Sequence, residues 1–123
     1  MLVSLVSSQV LIASYSSQTV TQTRAIEVGP HNHANFTVNV RDLPTLHGSP
    51  TAKTLTVYVE GSNGGGKWHR TGSSLVSTAT GVKPLDFPVS FAFLRLHVEF
   101  VVTGSSGDEA EVGFCVQVNL KAL

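Results

Sequence analysis

Five histidines, one cysteine and eight carboxylates are the side chains in this 123-residue chain that could ligate a metal, attack an electrophile or move a proton. His31 and His33 stand two apart after Gly29-Pro30. On extended backbone that spacing points both imidazoles the same way, as two ligands of one metal would require. A third ligand would have to come from His47, His69 or His97 by folding, so the pair reads as two solvated turn histidines, with no metal expected. Cys115 shares its strand phase with Gln117 and Asn119. A nucleophilic thiolate needs an adjacent base and an orienting group, and neither is near in sequence, so Cys115 reads as a free sheet cysteine. Asp108, Glu109 and Glu111 crowd one turn. Paired carboxylates do glycosidic acid–base work, but three acids among glycine and serine read as a solvated turn.

Two further motifs fail on their context. Gly61-Ser-Asn-Gly-Gly-Gly-Lys67 approximates a phosphate-binding loop, yet Trp68 stands where the magnesium-binding hydroxyl belongs. A strand, rather than a helix with its N-terminus toward a phosphate, is expected to follow it. Asn35-Phe-Thr37 matches a glycosylation acceptor, relevant only in a secretory pathway. His97, flanked in phase by Arg95 and Glu99, reads as a hydrogen-bonded sheet histidine. No catalytic residue, cofactor site or metal site is assigned.

The elements that carry these residues are strands. Leu55, Val57 and Val59 alternate with Thr54, Thr56, Tyr58 and Glu60, the period-two pattern of a strand with one buried face. Gly61 to Gly66 then supply a loose polar tip, and Lys67-Trp68-His69-Arg70 returns with Trp68 as its apolar anchor. The result is a β-hairpin. Phe36, Val38 and Val40 alternate cleanly through Ala34 to Asp42. Phe93 to Thr103 holds Leu94, Leu96, Val98, Phe100 and Val102 in phase. Ala110 to Lys121 does the same with Val112, Phe114, Val116, Val118 and Leu120. Gly104 to Asp108 reads as the turn joining these two strands into an antiparallel hairpin. Val20 to Val28 and Ser73 to Thr80 are further strands; Leu43 to Ala52 and Gly81 to Pro88 read as connections. Leu2 to Ala13 changes phase between Leu2/Val6 and Val3/Leu5, so both faces carry apolar groups.

With 41% hydrophobic residues the chain can bury a real core. Eight basic residues balance eight acidic ones, leaving no field to recruit nucleic acid or an anionic membrane. One cysteine excludes an intrachain disulfide framework and a thiolate zinc site. No run reaches the ~20 apolar residues of a helical span. The N-terminus lacks a basic leader region, and Ser4, Ser7, Ser8 and Gln9 interrupt its apolar run, so it reads as mature sequence. About eight antiparallel strands in one chain give an all-β fold, a β-sandwich of jelly-roll type. Residues 1–13 form an N-terminal strand or assembly arm, and residues 14–123 the sandwich.

The runs Arg24-Ala-Ile-Glu-Val-Gly29, Ala34-Asn-Phe-Thr-Val-Asn-Val40, Leu55-Thr-Val-Tyr-Val-Glu-Gly-Ser-Asn63 with Gly65 to Trp68, and Phe93-Leu-Arg-Leu-His97 resemble, in order, the strand motifs of small β-sandwich structural proteins of tailed phages. The resemblance spans residues 20 to 120. It departs at Asn63-Gly-Gly, where an acidic residue is common, and at Phe93, where tyrosine is usual. It implies a non-enzymatic virion protein, a capsid decoration (cement) or minor structural subunit at the capsid surface. The implied partners are other coat subunits or copies of itself, with a trimer favoured and neither nucleic acid nor membrane involved. Leu2, Val3, Leu5 and Val6 are the expected interface, because one sheet face cannot bury both phases. The alternative is an extracellular carbohydrate- or receptor-binding sandwich with Trp68 and Tyr58 as stacking platforms.

Overall fold

The computed structural model describes residues 1–64 and 66–123. It is an all-β sandwich of two antiparallel sheets. Ten strands follow in chain order: β1 Leu2–Ser14, β2 Thr19–Gln22, β3 Ile26–Glu27, β4 His33–Asp42, β5 Thr45–His47, β6 Ala52–Ser62, β7 His69–Ser77, β8 Gly81–Pro88, β9 Phe93–Thr103 and β10 Glu109–Lys121. The first sheet runs β1-β10-β4-β8 and the second β2-β9-β6-β7. β5 continues the track of β4 beside β10, and β3 continues that of β2 beside β9. The ten segments therefore lie on four tracks per sheet, and the chain crosses between sheets at nearly every connection, which is jelly-roll order.

The core lies where period-two patterning puts it. In β4, β9 and β10 the in-phase residues, from Phe36 through Leu96 and Phe100 to Val116 and Leu120, are buried. Phe36 stacks on Phe87 of β8 at a ring separation of 5.6 Å. Thr54–Arg70 is a hairpin as expected, β6 pairing with β7.

Five expectations change. β9 and β10 are not a hairpin: β9 pairs with β6 and β2, β10 with β1 and β4, so their apolar faces meet across the sandwich. Asp108 is the physical reason. Buried in the connection, it accepts hydrogen bonds from the amides of Ser105 (2.8 Å) and Ser49 (3.0 Å), which shapes an arch between sheets. Gly48 and Gly104 make room for it, since a Cβ on either would stand about 2 Å from its carboxylate. Gly81–Pro88 is the edge strand β8, where Pro84 and Pro88 are tolerated because one side of the strand lacks a partner. Val20–Val28 divides into β2 and β3, and the surface connection Leu43–Ala52 contains β5. Finally, β6 runs on through Gly61 and Ser62, both buried. Gly61 is required there because the Phe91 ring occupies the place of its Cβ, 2.3 Å away.

The phase slip in the N-terminal segment is caused by register shifts against β10, between Ser4 and Val6 and again between Val6 and Gln9. Each adds a residue to β1 and turns the following side chains over. One sheet face can thus take apolar residues of both phases.

Candidate functional site

Two surfaces bring polar, aromatic and unburied apolar groups together, while Val82 on β8 and Leu46 on β5 are exposed outside them. The first is the outer face of the second sheet, organised by register. Gln22, His97, Tyr58 and Ser74 form one row across β2, β9, β6 and β7. Arg95, Glu60 and Arg70 form the next. The Glu60 carboxylate is buried and accepts from Nε of Arg95 at 2.8 Å. The same guanidinium lies over the Trp68 ring, 4.2 Å from its centroid. Arg70 covers Tyr58 at 3.6 Å, but its own carboxylate contacts are long, 3.9 Å to Glu60 and 4.0 Å to Glu99. His97 is hydrogen-bonded at both ring nitrogens, to Glu99 (3.1 Å) and Gln22 (3.4 Å), the sheet histidine read from its strand phase.

β7 gains two residues between the partners of Tyr58 and Glu60. Thr71 Oγ1 donates to the Val59 carbonyl and accepts from the Ser73 amide, and Gly72 takes φ +91° to complete the bulge. The bulge leaves a recess of about 250 Å³ bounded by Tyr58, Arg70, Gly72, Ser73 and Ser74. Trp68 is only half-buried and precedes β7, so it is not the core anchor expected of it; it packs beneath Arg95 instead. The glycine tip lies partly outside the described residues, at Gly65. Its base is fixed by Asn63 Oδ1, which accepts from the Ala92 amide.

The second surface is the flank where β1 and β2 meet, one at the edge of each sheet. Side chains rather than a ladder close it. Thr19 Oγ1 donates to the Ile12 carbonyl, Arg24 Nη2 to the Ser4 carbonyl at 3.1 Å, and Gln9 Nε2 to Thr21 Oγ1 at 3.3 Å. Val10 and Ile12 project from one bank and Val20 from the other, each between 44% and 55% exposed. Of the four residues expected at an interface, Leu5 lies in the chain's own core and Val3 and Val6 pack against it. Leu2 stays 67% exposed. The phase slip flagged the strand, but no sequence signal separated Leu2, Val10 and Ile12 from their buried neighbours, because the bulges decide which side each faces.

The remaining candidates are not brought together. His33 opens β4 and bonds to Asp86 of β8, and His31 Nδ1 is buried without a hydrogen-bond partner among the described residues, so the two are not the solvated turn histidines expected. His47 and His69 are exposed on β5 and β7. Among the described residues no three histidine, cysteine or acidic side chains are grouped to hold a metal ion. Asp108 is locked by backbone amides rather than paired with another acid, and Glu109 accepts from Ser14 Oγ at 3.1 Å. Cys115 faces outward beside Asn39. Asn35 and Thr37 sit mid-strand in β4, half-buried between β8 and β10.

No family model and no curated protein matches the chain. Among solved structures it is similar to that of infectious bursal disease virus, Gx strain, at TM-score 0.51 and 10% identity. That match covers 96% of this chain and 30% of the viral one, so this chain spans under a third of its length. A second similarity is to the naturally occurring empty particles of cowpea mosaic virus (TM-score 0.45, 9% identity, 94% of this chain and 85% of that one). A third is to TmCBM61 in complex with β-1,4-galactotriose (TM-score 0.41, 16% identity, 87% and 68%). At these identities the likeness concerns the fold, and fold does not fix function.

Proposed function

We propose that this chain is a non-enzymatic structural subunit of a virus particle, a capsid decoration or minor coat protein that binds neighbouring subunits through its β1–β2 flank. The observation that carries this reading is the set of apolar side chains left out at that flank, Leu2, Val10, Ile12 and Val20. They stand on a protein with few charges, 13% of residues, so little charge repulsion opposes their burial by a partner. The jelly-roll fold shared with a virus structure and the strand motifs resembling tailed-phage structural modules support the same reading.

The contact would be made by side-chain faces, not by strand addition. β1 is doubly bulged and its Ser4 and Ile12 carbonyls are already engaged. β8 carries two prolines, and Lys83 Nζ occupies the Val76 carbonyl of β7. These devices make poor templates for another strand. Val10, Ile12 and Val20 are already about half covered, so the burial of each gives roughly 1 kcal/mol. That is a weak contact against the cost of association, suited to a shell that repeats it over many copies. Copies of this chain or other coat subunits are the proposed partners, a trimer the favoured assembly and the capsid surface the proposed location.

Native mass spectrometry and sedimentation of the full chain, alone and with particles, test this reading. Val10→Lys with Ile12→Lys should abolish self-association or particle binding while circular dichroism stays that of the parent. A parent chain that neither self-associates nor binds particles, or a double variant that assembles as well as the parent, overturns it.

A further inference from the structure

The outer face of the second sheet carries two aromatic rings under two arginines, and the arginines are held differently. Arg95 is held by the buried Glu60 at 2.8 Å, and the Trp68 ring beneath it is capped. Arg70 is 47% exposed and reaches its two carboxylates only at 3.9 and 4.0 Å. Contacts that long and that solvated hold a side chain weakly. The recess formed by the β7 bulge opens directly beside this loosely covered ring, bounded by Gly72, Ser73 and Ser74, with Ser74 on the outward phase beside Tyr58. A Cβ added at Gly72 would meet nothing within 4 Å, so the bulge is open toward solvent.

We propose that the recess between Tyr58 and the β7 bulge binds one pyranose unit of a neutral glycan. Three features select that chemistry. An aromatic wall suits the C–H face of a sugar ring, which is apolar and slightly positive against the negative π-face. Arg70 and Ser74 offer planar guanidinium donors and a two-way hydroxyl, matching the mixed donor–acceptor edge of a sugar. Arg70 and Arg95 are balanced by Glu60 and Glu99 in the adjoining rows, so no net positive field favours a phosphate or sulfate. About 250 Å³ admits a single ring rather than a nucleotide or an extended peptide. Tyr58, not the more conspicuous Trp68, is therefore the platform, with Arg70 moving off or along the ring as the sugar enters. The proposal is tested separately from the assembly reading: of the flank residues only Val20 lies on this sheet, and Val10 and Ile12, which carry the assembly test, lie on the other.

The test is a ¹⁵N–¹H titration of the full chain with maltohexaose, cellohexaose and methyl β-galactoside, and separately with sodium sulfate. At least one of the sugars should shift the amides of Gly72, Ser73 and Ser74, and sulfate should not. Tyr58→Ala and Ser74→Trp, which remove the wall and fill the recess respectively, should each abolish the sugar shifts. Trp68→Ala should keep them. No shift with any of the sugars, shifts with sulfate alone, or loss of binding in Trp68→Ala but not in Tyr58→Ala, each overturns the proposal.

Discussion

Arg95 donates from Nε to the Glu60 carboxylate at 2.8 Å across the β6–β9 ladder, and only 11% of the Glu60 side chain reaches solvent. An ion pair placed this far from water contributes through what its removal leaves behind. Glu60→Ala strands the Arg95 charge and frees it from Trp68, which should cost about 1.5–3 kcal/mol in denaturant melts. Glu60→Met combined with Arg95→Met should recover most of that loss. A single variant as stable as the parent would show the pair to be ornamental.

Leu96 is fully buried at the centre of β9. Leu96→Ala should therefore lower stability by about 2–5 kcal/mol through the cavity it leaves. Val76, more than half exposed on β7, is the control: Val76→Ala should change stability by less than about 0.5 kcal/mol.

The arch at Asp108 makes a different kind of prediction. Asp108→Ala leaves the Ser49 and Ser105 amides without their acceptor, at about 1–3 kcal/mol for each that stays buried. Gly104→Ala should be comparably harmful, because its Cβ would collide with the same carboxylate and its φ is +159°. Thermal melts of both variants should fall well below the parent, with β-sheet circular dichroism retained at low temperature.

Removing residues 1–8 should destabilise the sandwich. The segment contributes Leu5 to the core and pairs with β10 from Asn119 to Val116. Hydrogen exchange should then speed up along the β10 amides that faced it, and a truncation that melts with the parent would show that β10 does not need this cover. Point substitutions at Val10 and Ile12 consequently separate assembly from folding where truncation does not.

His33→Ala removes a contact to Asp86, whose side chain is 56% exposed. The His33 side chain itself is only 19% exposed, so its loss removes packing as well as a half-solvated contact, and the variant, alone or with His31→Ala, should cost about 0.5–3 kcal/mol in denaturant melts. Metal analysis of the purified chain should find no stoichiometric zinc or iron; metal lost in the double variant would assign these histidines a ligand role.

The sequence alone determined the strands that alternate cleanly and which of their faces is apolar, because alternation is written residue by residue. β4, β9 and β10 are legible from Phe36-x-Val38-x-Val40 and its counterparts, and two such faces too apolar for an open sheet require a sandwich. Which strand lies beside which is a non-local matter. Gly104 to Asp108 has the composition of a hairpin turn, and only the burial of Asp108 against the Ser49 and Ser105 amides makes it an arch that sends β9 and β10 to opposite sheets. β8 was hidden because Pro84 and Pro88 are breakers everywhere except at an edge, and an edge exists only once the sheet is assembled. The bulges of β1 and β7 depend on the partner strand in the same way. They decide that Leu5 is core while Leu2, Val10 and Ile12 face outward, and they open the recess beside Tyr58. Sequence puts Tyr58 on the polar phase and makes Trp68 an anchor; only the tertiary structure sets Arg95 2.8 Å from Glu60 over Trp68 and leaves Arg70, over Tyr58, at 3.9 Å from the same carboxylate.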